Sequence, residues 1–263
     1  MNHFPEQWGR PRDDLYSFIE PSVKPKQLED AVQHTQSPIV TGTSVLGLKF
    51  KGGVMLAADN LASYGSLARF KDVERILQAG DETVVAAGGD ISDFQYISEL
   101  LSNLLITESY ATDGQKLSTK NIYEYLCRVM YNRRTKINPL WNSLLVAGLE
   151  KGEPFLAYVD LLGTSFKAPT LATGFGAHIA MPLLRKYIDG RENEILEQEA
   201  RKILNSCMQA LYYRDARSLN KFTVASITSE GVKIEKNQLV QTEWKFADMI
   251  KGYAYSFLFE DVV

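Results

Sequence analysis

A period-two signal begins after residue 38, in the stretch IVTGTSVLGLKF that ends at Phe50. A period of two puts successive side chains on opposite faces of a strand, so residues 39–50 are read as one strand. Lys51-Gly52-Gly53 breaks it with a turn, where glycine takes positive φ without steric cost, and VMLAA over 54–58 returns as the second arm of a hairpin. ETVVAA over 82–87 predicts another strand, ending in Gly88-Gly89. The period then changes. From Ile91, apolar residues fall at Phe94, Ile97, Leu101, Leu104 and Leu105, along one helical face. Ser118 is placed to cap a second helix containing Ile122, Tyr125, Leu126, Val129 and Met130. That helix runs out in Asn132-Arg133-Arg134, where cations suit the negative end of the helix dipole.

Strands return over 143–149 and 155–162, joined across Glu150–Pro154. Two helices follow, near 176–189 and 193–212, and then a hairpin of 222–228 with 232–235 around Glu230-Gly231. A short helix is expected near 244–251, before a tail holding Tyr253, Tyr255, Phe257 and Phe259. The order is strands, two helices, strands, two helices, strands. A doubly wound parallel sheet would alternate strand and helix throughout. The expected class is instead α+β, a four-layer αββα sandwich of two antiparallel sheets with helix pairs outside. Residues 1–36 carry Pro5, Pro11, Pro21 and Pro25 without a sustained period, and are read as an extension or pro-segment. The domain is expected over 37–243, with a C-terminal helix and tail over 244–263.

Bulk properties narrow the chemistry. Net charge is −3, which offers no electrostatic reason for binding nucleic acid or an anionic membrane surface. No apolar run reaches about 18 residues, so no transmembrane helix is expected. Met1–Leu15 lacks the apolar stretch of a signal peptide. Cys127 and Cys207 lie inside helical patterns and read as free thiols. An intracellular, reducing location is the expectation. Three histidines, His3, His34 and His178, supply a Ser-His-Asp or Cys-His site poorly. Phosphate-binding, dinucleotide and metal motifs do not occur, so neither cofactor nor metal is expected.

One route to a nucleophile needs no histidine. A threonine at a newly exposed chain terminus uses its own α-amino group as general base, with an ordinary pKa near ~8. Such a site requires a cleavable Gly-Thr junction followed by a strand, and Gly42-Thr43-Ser44-Val45 supplies one. Threonine is common in strands, so the junction alone favours a structural reading. Three further pieces change the balance. Asp59 ends the strand after the Gly52-Gly53 turn. Ala87-Gly88-Gly89-Asp90 leads from strand to helix, where backbone N–H groups can meet an oxyanion. Leu211-Tyr212-Tyr213-Arg214-Asp215-Ala216-Arg217-Ser218 closes a helix with an acid and a hydroxyl three residues apart.

This ordered set resembles the proteasome beta-subunit family of the N-terminal-nucleophile hydrolases, over roughly residues 37–251. GTSVLGLKFKGGVMLAAD is similar to the family's opening hairpin, ERILQAGDETVVAAGGDISDFQ to its strand-to-helix passage, and YYRDARS to its Arg-Asp-Ala motif. PIVTGTS, LASYGSLARF, NRRTKINPLWN, DLLGTSFKAPTLATGFGA and LYYRDARS resemble one position of the eukaryotic ring more closely than the family at large. The resemblance implies that Thr43 falls on the nucleophile, Asp59 on an orienting acid and Gly89 on the oxyanion glycine. Asp215 and Ser218 fall on the pair that supports the terminal amine. Two positions depart from the pattern: Arg75 stands where a lysine is expected, and Phe175 replaces a serine in Gly174-Phe175-Gly176.

Arginine stays protonated in proteins and cannot share a proton as a buried lysine does. Phe175 offers no hydrogen bond. Losing one positioned group commonly costs ~10²-fold, so two losses leave little activity. The expected function is therefore a non-catalytic structural subunit, and the expected catalytic set is empty. An active threonine endopeptidase using Thr43 is the alternative. The implied partners are other beta subunits of the same and the opposite ring, alpha-ring subunits and assembly chaperones. The extension is expected to be cut upstream, near His34-Thr35, leaving Thr43 internal. The tail from Trp244 to Val263 is a candidate partner-binding arm.

Overall fold

A computed structural model describes residues 37–110 and 116–245. The extension 1–36, the cut near His34-Thr35, and the helix and tail beyond Lys245 lie outside the described residues.

The first half of the domain runs β1 (Val40–Gly42), β2 (Val45–Phe50), β3 (Gly53–Asp59), β4 (Ala62–Tyr64), β5 (Leu67–Phe70), β6 (Ile76–Gln78), β7 (Thr83–Asp90), α1 (Ile91–Ser109) and α2 (Thr119–Thr135). The second half runs β8 (Asn142–Glu150), β9 (Glu153–Val159), β10 (Ser165–Lys167), β11 (Thr170–Ala172), α3 (Gly176–Ile179), α4 (Met181–Ile188), α5 (Glu197–Arg214), β12 (Lys221–Thr228) and β13 (Gly231–Leu239). One sheet has the order β10-β9-β8-β7-β1-β4-β5, with β6 also on β7, and the other has the order β11-β2-β3-β12-β13. Every pairing is antiparallel.

Three apolar layers hold the four structural ones together. Val45, Val54, Leu56, Val84, Leu145 and Leu156 meet between the sheets. Ile97, Leu101, Ile122, Leu126 and Met130 seat α1 and α2 on the larger sheet. Leu184, Ile188, Leu204, Cys207 and Leu211 seat α4 and α5 on the smaller one. Fully burying one such aliphatic side chain is worth ~1.5–3 kcal/mol, so each layer contributes far more than any single polar contact. The αββα expectation holds.

Helix starts follow their local chemistry. Asp90 caps α1 by accepting from the N–H groups of Ser92 (2.8 Å) and Asp93 (3.2 Å). Ser118 caps α2, as its side chain suggested. The expected helix over 176–189 is two pieces, because Pro182 lies in the first turn of α4 and cannot donate to the preceding helix. Residues 39–50 are likewise not one strand. β1 belongs to the larger sheet and β2 to the smaller, and the chain changes sheets at Thr43-Ser44. The short strands β4, β5, β6, β10 and β11 were not anticipated; at three or four residues they carry too little alternation to read.

Candidate active site

The crossing between sheets is where the nominal nucleophile sits. Upstream, Gly42 is the register partner of Gly89 on β7. Downstream, Val45 is the partner of Ala58 on β3. Side chains hold the crossing on its far side. The Val45 N–H donates to Thr173 Oγ1 at 3.0 Å, and the Gly176 N–H donates to Ser44 Oγ at 2.8 Å. Thr43 thus lies on a short bridge fixed from both ends, beside a cleft of about 330 Å³ lined by Thr41, Gly89, Thr173, Phe175 and Arg217.

Arg75 fills the space beneath Thr43. It is 1 % exposed, and Nη1 makes an ion pair with Asp59 Oδ1. Nη2 donates to the carbonyl oxygens of Thr43, Ser44 (3.2 Å) and Ala87 (3.1 Å), and Nε donates to Ala87 O at 3.2 Å. The planar fork therefore ties the Thr43-Ser44 crossing, β3 and β7 together. Gly42 is obligatory beside it, because a Cβ there would come within 2.3 Å of Arg75 Nε. Asp59 Oδ2 also accepts from the Leu219 N–H at 3.2 Å. Burial pushes the Asp59 carboxyl up to about 6, against the pull of Arg75. Burial lowers the Arg75 guanidinium, while Asp59 opposes that change.

The other expected residues divide. Asp215 is buried, and its Oδ2 accepts from Thr43 Oγ1 at 2.6 Å. Its Oδ1 accepts from the Arg217 N–H at 2.9 Å. Ser218 Oγ donates to the carbonyl oxygens of Asp215 (2.7 Å) and Leu211 (3.3 Å), so it shapes the turn after α5 rather than touching Thr43. Gly89 has φ +93°, and a Cβ would lie 2.0 Å from Trp141 O, so only glycine fits. Phe175 is 56 % exposed at the cleft mouth. His178 is exposed on α3, neither packed nor near a nucleophile. Cys207 is buried and Cys127 is half-buried, both as free thiols. Burial pushes the Cys207 thiol up to about 12, far from a reactive thiolate.

Two contributors escaped the sequence reading. Asp90 Oδ2 accepts from the Ile39 N–H at 3.0 Å, so the acid that caps α1 also holds the segment entering β1. The Gly-Gly-Asp-Ile-Ser passage carried a capping signal that would have found it. Thr173 has no comparable local signature. Among the described residues, no three His, Cys, Asp or Glu side chains gather as a metal site requires, and no helix is long and apolar enough to cross a membrane.

As chemistry, the arrangement is incomplete. Asp215 can take the Thr43 hydroxyl proton as a hydrogen bond. With Gly42 attached, however, the Thr43 nitrogen is an amide with no free lone pair to act as base. β1 also lies against Gly89, the glycine for which the resemblance implies an oxyanion role.

Two antiparallel sheets between helix layers, with a threonine on the crossing that leads into the smaller sheet, give the fold of the N-terminal-nucleophile hydrolase class. The sequence profile of the proteasome subunit family matches residues 39–227, and the chain belongs to that family. It is 51 % identical to a probable proteasome subunit beta type-7 of Schizosaccharomyces pombe, over 94 % of this chain and 95 % of that protein. It is 49 % identical to proteasome subunit beta type-7 of Saccharomyces cerevisiae, over 96 % and 98 %. Identity to proteasome subunit beta type-4 of Xenopus laevis is 48 %, over 84 % and 91 %.

Proposed function

We propose that this chain is a non-catalytic beta subunit of the 20S proteasome core, a structural member of a threonine-protease complex that degrades proteins. Arg75 carries the reading. A guanidinium paired with Asp59 and bonded to four backbone carbonyls is a fixed positive strut. It has no neutral form near pH 7 with which to exchange a proton with Thr43. Phe175 supports the same conclusion, since it puts an apolar ring at the cleft mouth where the resemblance implies a serine.

In this role the chain fills one ring position, walls the proteolytic chamber and contacts beta subunits of its own and the opposite ring, together with alpha-ring subunits. Assembly chaperones and a place in cytoplasm and nucleus belong to the same proposal. So does cleavage of the extension upstream of Gly42 by active neighbours. The test is N-terminal sequencing of the mature chain from purified particles, with labelling by an electrophile that needs both a threonine hydroxyl and a free amine. The expected result is a terminus upstream of Thr43 and no label on Thr43. A labelled Thr43 at the first position would establish the active-peptidase alternative instead.

A further inference from the structure

The C-terminal end of α2 holds an arrangement that the cleft does not use. Ile137 has φ +54° and is 80 % exposed. The left-handed region suits a β-branched residue poorly, and an exposed apolar side chain gains nothing from water. The turn nevertheless imposes it. The Lys136 and Asn138 N–H groups both donate to Arg133 O, at 3.2 and 3.1 Å, and the Ile137 N–H donates to Arg134 O at 3.1 Å. Backbone strain held in place by surrounding bonds points to a use for the side chain it displays.

The surroundings continue the surface. Tyr131 is half-exposed, with the Arg134 guanidinium 5.6 Å from its ring centre. Gly163, in the loop after β9, packs so closely on Tyr131 that a Cβ would lie 2.9 Å from Tyr131 Cβ. That brings half-exposed Leu162 to the same end of the helix. Arg128, Arg134 and Lys136 are exposed, and none has an ion-pair partner among the described residues. On α2 the only acidic residue is Glu124. A whole chain of net charge −3 therefore concentrates positive charge around an apolar tip. The Arg-rich run does not offer itself as an extended import signal. Arg133 and Arg134 are helical and lie over the rings of Tyr96 and Tyr131.

We infer that the end of α2 is a docking surface for a neighbouring protein subunit, one that offers an apolar socket for Ile137 ringed by carboxylates. The inference rests on the proposed role within a multi-subunit particle. Ile137 is the knob; Arg134 and Lys136 form the cationic rim that sets orientation and approach.

Ile137→Gly tests it with opposed signs, because glycine relieves the strain while deleting the knob. The full-length variant and the wild type, differently tagged, are co-expressed with a complete set of proteasome subunits, and their shares in the assembled particle are compared. The variant is expected to melt no lower than the wild type as a free chain, yet to enter particles roughly tenfold less often. Arg134→Glu with Lys136→Glu is expected to lower incorporation similarly. Incorporation of Ile137→Gly within about twofold of wild type overturns the inference and leaves the proposed function standing. A wild-type chain that enters no particle overturns both.

Discussion

Arg75 shows how one buried side chain can organise a site. Its donors satisfy the Asp59 carboxylate and the carbonyls of Thr43, Ser44, Asp59 and Ala87 in a buried space. Arg75→Met is expected to destabilise the fold by roughly 3–5 kcal/mol in urea titration, because Asp59 would be left charged, buried and unpaired. Asp59 also makes a pH prediction. Its folded-state value, about 6, lies above the ordinary 3.8. Above pH 6 the group is ionised in folded and unfolded chains alike, and its burial is a cost. Between about pH 6 and 4 the folded chain holds a proton that the unfolded chain has released, so this group's contribution to stability rises as pH falls. The effect of Asp59→Asn, read as the difference in urea midpoint from wild type, is therefore expected to grow between pH 7 and pH 5. A difference that stays flat or shrinks counts against the raised value. Glu235 acts in the opposite sense: hydrogen bonds from Arg201 and Lys233 lower it, so its contribution is lost below the ordinary carboxylate range.

At the scale of elements, β1 is the informative piece. Three residues, Val40–Gly42, pair with β7 on one side and β4 on the other. Among the described residues, β1 is the strand that joins the β4–β5 hairpin to the rest of the larger sheet. The segment upstream of Thr43 is thus part of the fold. A chain beginning at Thr43 is expected to lose amide-exchange protection across Ala62–Phe70, while β2, β3 and β12 keep theirs. Equal protection in the two chains would show that the hairpin stands without β1. None of this was legible in IVTGTSVLGLKF, whose residues all suit an extended chain. Period-two patterning reports that a residue is extended, not which sheet receives it. The helices were read well, since Ile91 to Leu105 and Ile122 to Met130 repeat over several turns and Ser118 announces its own cap. The shortest strands, three residues long, gave the pattern nothing to repeat.

At the scale of the whole molecule, the site is a meeting of both sheets. Thr43 stands between them, Asp59 ends β3, Arg75 precedes β6, Gly89 lies on β7, and Asp215 follows α5. Changing two of these residues should therefore not by itself make Thr43 reactive. Arg75→Lys with Phe175→Ser in the uncut chain is expected to remain unlabelled by an electrophile that needs a free threonine amine, because the Thr43 nitrogen is still an amide. Labelling of that uncut double variant would mean that another group acts as base.

The sequence by itself determined the layer order, the Ser118 cap and the family, because each is a matter of local period or residue type. Only the tertiary structure decided how those residues meet. It bonded the Thr43 hydroxyl to Asp215, turned Ser218 back onto its own turn, paired Arg75 with Asp59, and laid β1 against Gly89. Apart from the local Ser218 turn, these contacts join residues apart in the chain, and their geometry exists only once the two sheets have packed and the chain has crossed between them at Thr43.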